Sequence, residues 1–159
     1  MINSSKAYTE SLPKKRMGAG CLFFNEQGNV MLVKPTYKPG WEIPGGGVEQ
    51  NESPKQCCKR EIQEELGLKR KIGELLVVDY NIETEEKTES LMFIFDGGIL
   101  TPSEIESVQL SLNELSEFRF FTSETLPSDM LNALRNRILM AWKQKTHSTD
   151  VYLENQERA

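Results

Sequence analysis

The sequence predicts an α+β fold, a mixed β-sheet covered by helices on both faces. Short apolar runs joined by turn-rich segments are interleaved with two stretches of helical periodicity, the pattern of strands and helices that share a core. A chain of 159 residues with 38% hydrophobic and 27% charged content suffices for one ordinary globular domain, and no second domain is required.

The first ten residues, MINSSKAYTE, are polar rather than an apolar targeting segment, so residues 1–16 read as an N-terminal extension ahead of a single domain at 17–144. Met17 to Phe24 and Val30 to Val33 read as strands, and the turn-rich Asn25-Glu26-Gln27-Gly28-Asn29 between them reads as a hairpin loop. Lys34 to Gly40, with Tyr37, forms a connection. After the first helix, Lys71 to Ile82 and Ser90 to Phe95 read as strands around a charged loop at Glu83 to Glu89, the second strand closed by Gly97-Gly98. Ile105 to Leu110 and Glu117 to Phe121 are further predicted strands. Ser128 is the expected cap of a final helix whose Leu131, Leu134, Ile138 and Trp142 recur at helical spacing. Lys145 to Ala159 reads as a frayed tail, with Val151-Tyr152-Leu153 available to a partner.

The stretch SPKQCCKREIQEEL, Ser53 to Leu66, carries the chemistry. Ser53 supplies an N-cap, Pro54 a first residue that needs no N–H partner and Gln56 the reciprocal capping-box side chain, while Gly67 provides the left-handed stop. At about 100° per residue, Glu61, Glu64 and Glu65 fall on one face. Carboxylates so spaced repel one another, and Arg60, four residues before Glu64, offsets only part of this. A hard divalent cation such as Mg²⁺ or Mn²⁺ prefers such oxygen ligands together with substrate phosphates, so the face reads as a metal site. The triplet Gly45-Gly46-Gly47 ahead of the helix permits close approach of main chain to a ligand.

Gly46, Glu52, Arg60, Glu61, Ile62, Glu64, Glu65, Gly67 and Leu68 occupy every fixed position of a known signature, and through them the chain resembles the Nudix hydrolase family. The flanks are similar too: Trp41-Glu42-Ile43-Pro44 leads into the glycines, and Asn113-Glu114-Leu115 precedes an aromatic strand. The resemblance implies the Nudix fold, an α/β/α sandwich, and divalent-metal-dependent hydrolysis of a phosphoanhydride in a nucleoside diphosphate linked to another moiety: a nucleoside triphosphate, a nucleotide sugar or an ADP-ribose-like compound. It implies metal ligands at Glu61, Glu64, Glu65 and the Gly46 carbonyl, with Glu52 and Arg60 as a supporting ion pair. The general base falls to Glu61, Glu64 or the loop residue Glu114. Tyr37, Lys38, Trp41 and Gly45 to Gly47 are the expected substrate contacts, with Lys34 and Arg119 as further cations and Tyr80 and Phe120 as further aromatic surfaces.

The subfamily markers of ADP-ribose, NADH, coenzyme A and dinucleoside polyphosphate hydrolases are not matched. A Nudix-like nucleotide-sensing or protein-binding module without catalysis, or an RNA 5′-end pyrophosphohydrolase, is the alternative reading. A net charge of −5 disfavours general nucleic-acid binding, and no run is apolar enough for a membrane span. Cys21, Cys57 and Cys58 read as reduced thiols, which fits a cytoplasmic location. The single histidine, His147, excludes a His-rich zinc site or a serine triad. A homodimer through the Trp142 helix or the tail fits the same reading.

Overall fold

A computed structural model describes residues 5–147 and 151–158. Elements run in the order α1 (Ser5–Ser11), β1 (Arg16–Phe24), β2 (Val30–Pro35), β3 (Gly45–Gly47), α2 (Pro54–Leu66), β4 (Leu75–Asn81), β5 (Ser90–Ile99), α3 (Pro102–Glu106), β6 (Leu115–Phe121), α4 (Asn132–Thr146), β7 (Tyr152–Glu154) and β8 (Glu157–Arg158). The strands form one mixed sheet in the order β6-β2-β1-β5-β4-β7-β8, with β3 added on β1. β1 runs parallel to β5 and β4 parallel to β7; the other neighbours are antiparallel.

Period-two alternation along β1 divides the core. Leu22 and Phe24 join Leu134, Ile138 and Ala141 of α4 on one face, whereas Ala19, Cys21 and Phe23 join Cys58, Ile62 and Leu66 of α2 on the other. Each helix buries one stripe against one side of the sheet, which gives the layered arrangement of helix, sheet and helix. β1 meets β2 only where Phe24 faces Val30, so β3 occupies the rest of that edge and pairs Gly18, Ala19 and Gly20 with Gly47, Gly46 and Gly45. The glycine triplet is therefore a short strand, not a loop, and it lies directly beside α2.

Several expected elements differ. Ile105 to Leu110 is not a strand: Thr101 accepts from Glu104 N–H and Glu104 reaches back to Thr101, so a capping box starts α3 there, and the chain continues irregularly to β6. Gly97 and Gly98 lie inside β5, which a bulge opposite Leu22 and Phe23 carries on to Ile99. β4 starts only at Leu75, β2 continues to Pro35 and β6 begins at Leu115. Ser128 does not cap the last helix, which starts four residues later with Leu131 at its N-cap and no side-chain cap bond.

The described residues of the C-terminal segment, 145–147 and 151–158, do not form a frayed tail. Lys145 and Thr146 finish α4, and Tyr152 to Glu154 pair with Val78, Asp79 and Tyr80 of β4, driving Leu153 into the core at 0% exposure. Val151 to Leu153 thus docks on its own sheet; residues 148–150, 159 and 1–4 of the two terminal segments lie outside the described residues. α1 buries none of its side chains. Among the described residues no helix is long and apolar enough to cross a membrane.

Candidate functional site

The capping box is formed: Gln56 N–H donates to Ser53 Oγ at 3.2 Å, and Ser53 N–H donates to Gln56 Oε1 at 2.8 Å. Gly67 closes α2 at φ 68°, its N–H on the Gln63 carbonyl at 3.1 Å. With both ends set and Cys58, Ile62 and Leu66 turned into the core, Glu61 and Glu65 face β3 while Glu64 stays exposed.

Arg60 is the hub of the acidic face. Its Nε and Nη2 grip the two carboxylate oxygens of Glu52 at 2.8 and 3.0 Å, while Nη1 donates to Glu61 at 2.8 Å and to Glu64 at 3.1 Å. Nη2 also reaches the Gly47 carbonyl at 3.2 Å. The fork holds the Glu52 carboxyl down at about 2, and the Arg60 guanidinium is in turn raised by its bond to Glu52. The guanidinium ties helix to strand and partly neutralises the cluster. Among the described residues no three carboxylate, thiol or imidazole groups converge as a ready-made metal cage; Nη1 of Arg60 bridges two of the expected ligands.

Glu65 is buried, at 8% exposure, and Gly45 N–H donates to its Oε2 at 2.9 Å. Burial pushes this carboxyl up to about 8 despite the Gly45 bond, and the charges of Glu61, Glu114 and Glu42 add to the rise. Burial likewise raises Glu61, opposed by Arg60 and assisted by Glu64 and Glu114. Glu114 therefore lies within electrostatic reach of the helix carboxylates, held in its loop by Thr36 N–H, which donates to the Glu114 carbonyl at 2.8 Å. A Cβ on Gly46 would overlap the Glu61 carboxylate, so glycine here is what leaves that carboxylate its place against the strand.

A cleft of about 480 Å³ opens beside this face, with Gly45, Gly46, Gly47 and Glu65 in one wall. Tyr37 and Lys38 reach its lining, Tyr37 at 73% exposure and Lys38 paired to Glu42 at 2.7 Å. Trp41 does not line it. At 6% exposure it packs edge-on to Phe121 at 5.1 Å, under Lys34 and Arg119, on the α4 side of the sheet. These two cations and Phe120 are absent from the lining, as is Tyr80, whose hydroxyl donates to Glu89. The structure adds Arg16, Asn81, Lys87 and Arg137 to the walls. Nothing in the sequence singled these out, since each sits in a segment that reads as strand end, charged loop or helix surface; only the pairing of β4 with its neighbours brings them together.

The three cysteines are free and buried. The Cys57 thiol lies 3.4 Å from the Gly47 carbonyl, pushed up to about 12 by burial and by Glu52 and Glu61. The bond to Cys21 and burial raise Cys58 further.

Among proteins of known role, this chain is 36% identical over 87 residues to diphosphoinositol polyphosphate phosphohydrolase 2 of Rattus norvegicus, covering 54% of this chain and 49% of that protein. The human counterpart is 34% identical over 87 residues, covering 54% and 48%. The chain spans about half the length of these curated relatives. In fold it is similar to the MutT protein from Methanosarcina mazei Go1, at TM-score 0.66, 24% identity and coverage of 87% of this chain and 100% of that one. It also resembles the NUDIX domain of Shewanella oneidensis NrtR complexed with ADP ribose, at TM-score 0.69, 14% identity and coverage of 91% and 99%. The signature helix, its glycine strand and the sheet strands from β1 to β6 all fall within residues 14–143, which match the family described as NUDIX domain, and the chain belongs to that family.

Proposed function

We propose that this chain is a divalent-metal-dependent pyrophosphohydrolase that cleaves a phosphoanhydride bond in a nucleoside diphosphate linked to another moiety. The observation that carries this reading is the convergence of two carboxylates of the signature helix on the glycine strand, Glu65 in the wall of the cleft on Gly45 N–H at 2.9 Å and Glu61 against Gly46. The donor set, all carboxylate and carbonyl oxygen, suits a hard ion such as Mg²⁺ or Mn²⁺. Glu61, Glu64, Glu65 and the Gly46 carbonyl would hold it, with Glu52 retaining Arg60 as Nη1 withdraws. Bound there, such an ion supplies charge neutralisation for phosphate oxygens and a more acidic water. Glu61, Glu64 or Glu114 accepts the proton of the attacking water, and Gly45 to Gly47 lines the phosphate path.

The remaining walls favour a nucleotide. Met17, Tyr37, Ile82 and Leu131 are exposed apolar side chains in the cleft lining, fit for a base or ribose. Of its cations, the charges of Lys38 and Arg137 are balanced by Glu42 and Asp79, which leaves Arg16 and Lys87. That is few free charges for a densely phosphorylated ring. The diphosphoinositol polyphosphate relatives nonetheless favour such a substrate as a second reading.

A panel of nucleoside triphosphates, nucleotide sugars, ADP-ribose, a diphosphoinositol polyphosphate and triphosphorylated RNA, assayed with Mg²⁺ or Mn²⁺ and with Glu64→Gln as blank, tests both. Metal-dependent release of nucleoside monophosphate or phosphate supports the reading. Tight nucleotide binding without turnover replaces it with a sensor, and turnover of the inositol compound alone replaces the nucleotide.

A further inference from the structure

We infer that Arg137 is a substrate-anion donor in the β4–α4 wall of the cleft and that Gln156 of the C-terminal hairpin, outside the family-matched segment, is the residue that positions it. The inference rests on the reading of the cleft as a nucleotide site.

Asp79 is a carboxylate at 0% exposure on β4. Arg137 Nε donates to its Oδ2 at 2.6 Å, Gln156 N–H donates to Oδ1 at 2.9 Å, and Gln156 Nε2 donates to Oδ2 at 3.1 Å. Asn81 Oδ1 accepts from the same pair, from Arg137 Nη2 at 3.0 Å and Gln156 Nε2 at 2.8 Å. The guanidinium is therefore clamped along its Nε–Nη2 edge by two acceptors, each shared with Gln156. Its Nη1 has no hydrogen-bond partner among the described residues, and the residue lines the cleft together with Asn81. A planar fork with one edge fixed, on a residue that lines a cavity, is a preorganised donor for a phosphate or similar anion.

The two-residue β7–β8 turn sets Gln156 at φ 67°, next to Asn155 at φ 51°, the left-handed pair that such a hairpin turn requires. Both residues make up the β7–β8 turn, yet only Gln156 meets the Asp79 and Asn81 carbonyl and carboxylate oxygens. Asn155 instead accepts from Ile82 N–H at 3.1 Å. The cost of that conformation is offset by three bonds to the groups that hold Arg137.

The test compares Gln156→Gly, Asn155→Gly and Arg137→Lys with wild type, using Mg²⁺ with ADP-ribose and with GTP as probes in steady-state hydrolysis and calorimetric binding. Gln156→Gly keeps the main-chain bond to Asp79 and relieves the left-handed conformation but loses both side-chain bonds, so its Tm falls modestly and the protein stays folded. Its KM is expected to increase about tenfold with kcat within twofold. Asn155→Gly relieves the same turn without touching Asp79 and leaves KM unchanged. Arg137→Lys keeps the charge but loses the fork, and raises KM at least tenfold. Equal KM in Gln156→Gly and wild type, or equal shifts in the two glycine variants, overturns the inference while the nucleotide reading stands. A wild-type chain that neither hydrolyses nor binds either probe defeats both, and does so before any variant is compared.

Discussion

Gly45 and Glu65 are joined across the strand and helix of the signature by a single hydrogen bond, N–H to Oε2 at 2.9 Å, and among the described residues it is the one donor to a carboxyl otherwise enclosed by apolar core and by other acids. This arrangement makes the metal-free protein sensitive to pH. Glu65 binds its proton more tightly in the folded chain, releasing it near pH 8, than in the unfolded chain, releasing it near 4.5. Folding then takes up a proton between those values, and stability falls as pH rises from about 4.5 to about 8. Urea titrations without metal are expected to show this slope, Glu65→Gln to flatten it, and Mg²⁺ to reduce it; an unchanged slope in Glu65→Gln removes Glu65 as the cause.

Glu61→Gln and Glu64→Gln are expected to lower kcat by about 10² or more with only small changes in Tm, because each removes a charged ligand from the face while keeping side-chain volume. Full activity in both, measured at saturating Mg²⁺, contradicts their assignment.

Arg60→Ala breaks contacts to Glu52, Glu61, Glu64 and the Gly47 carbonyl at once. Loss of these charge-assisted bonds costs about 2–3 kcal/mol, seen as a fall in Tm. Arg60→Lys, lacking the fork, recovers less than half of it. A Tm equal to wild type in the alanine variant would remove the hub role.

Gly46→Ala places a methyl against the Glu61 carboxylate and leaves β3 otherwise paired. Activity is expected to fall more than tenfold while the denaturation midpoint moves little, read from paired kinetics and urea curves.

Leu153→Ala removes a fully buried side chain of the C-terminal strand. The expected destabilisation is about 2–5 kcal/mol. A change below about 0.5 kcal/mol would mean that β7 is not part of the cooperative unit.

What was legible in the residues was local. The Ser53, Pro54 and Gln56 start, the Gly67 stop and the alternation along β1 are short-range signals, and the structure follows them. The misreadings arise where tertiary pairing decides. Gly97 and Gly98 look like a strand stop but sit in a bulge made by the parallel neighbour β1. Leu153 looks like part of a polar tail because its partner strand lies far upstream. Helical spacing is enough to group Glu61, Glu64 and Glu65, whereas the contacts of Arg137 and Gln156 with Asp79 join residues distant in sequence.

The pairing of β7 with β4 also bears on how the molecule is made. Gln156 meets Asp79 across 77 positions, so during synthesis a buried-to-be carboxylate and an open strand edge wait until residues 152–158 have been made. Until those arrive, β4 offers its free edge to any other chain, and nascent copies crowded on one message are exposed to cross-pairing.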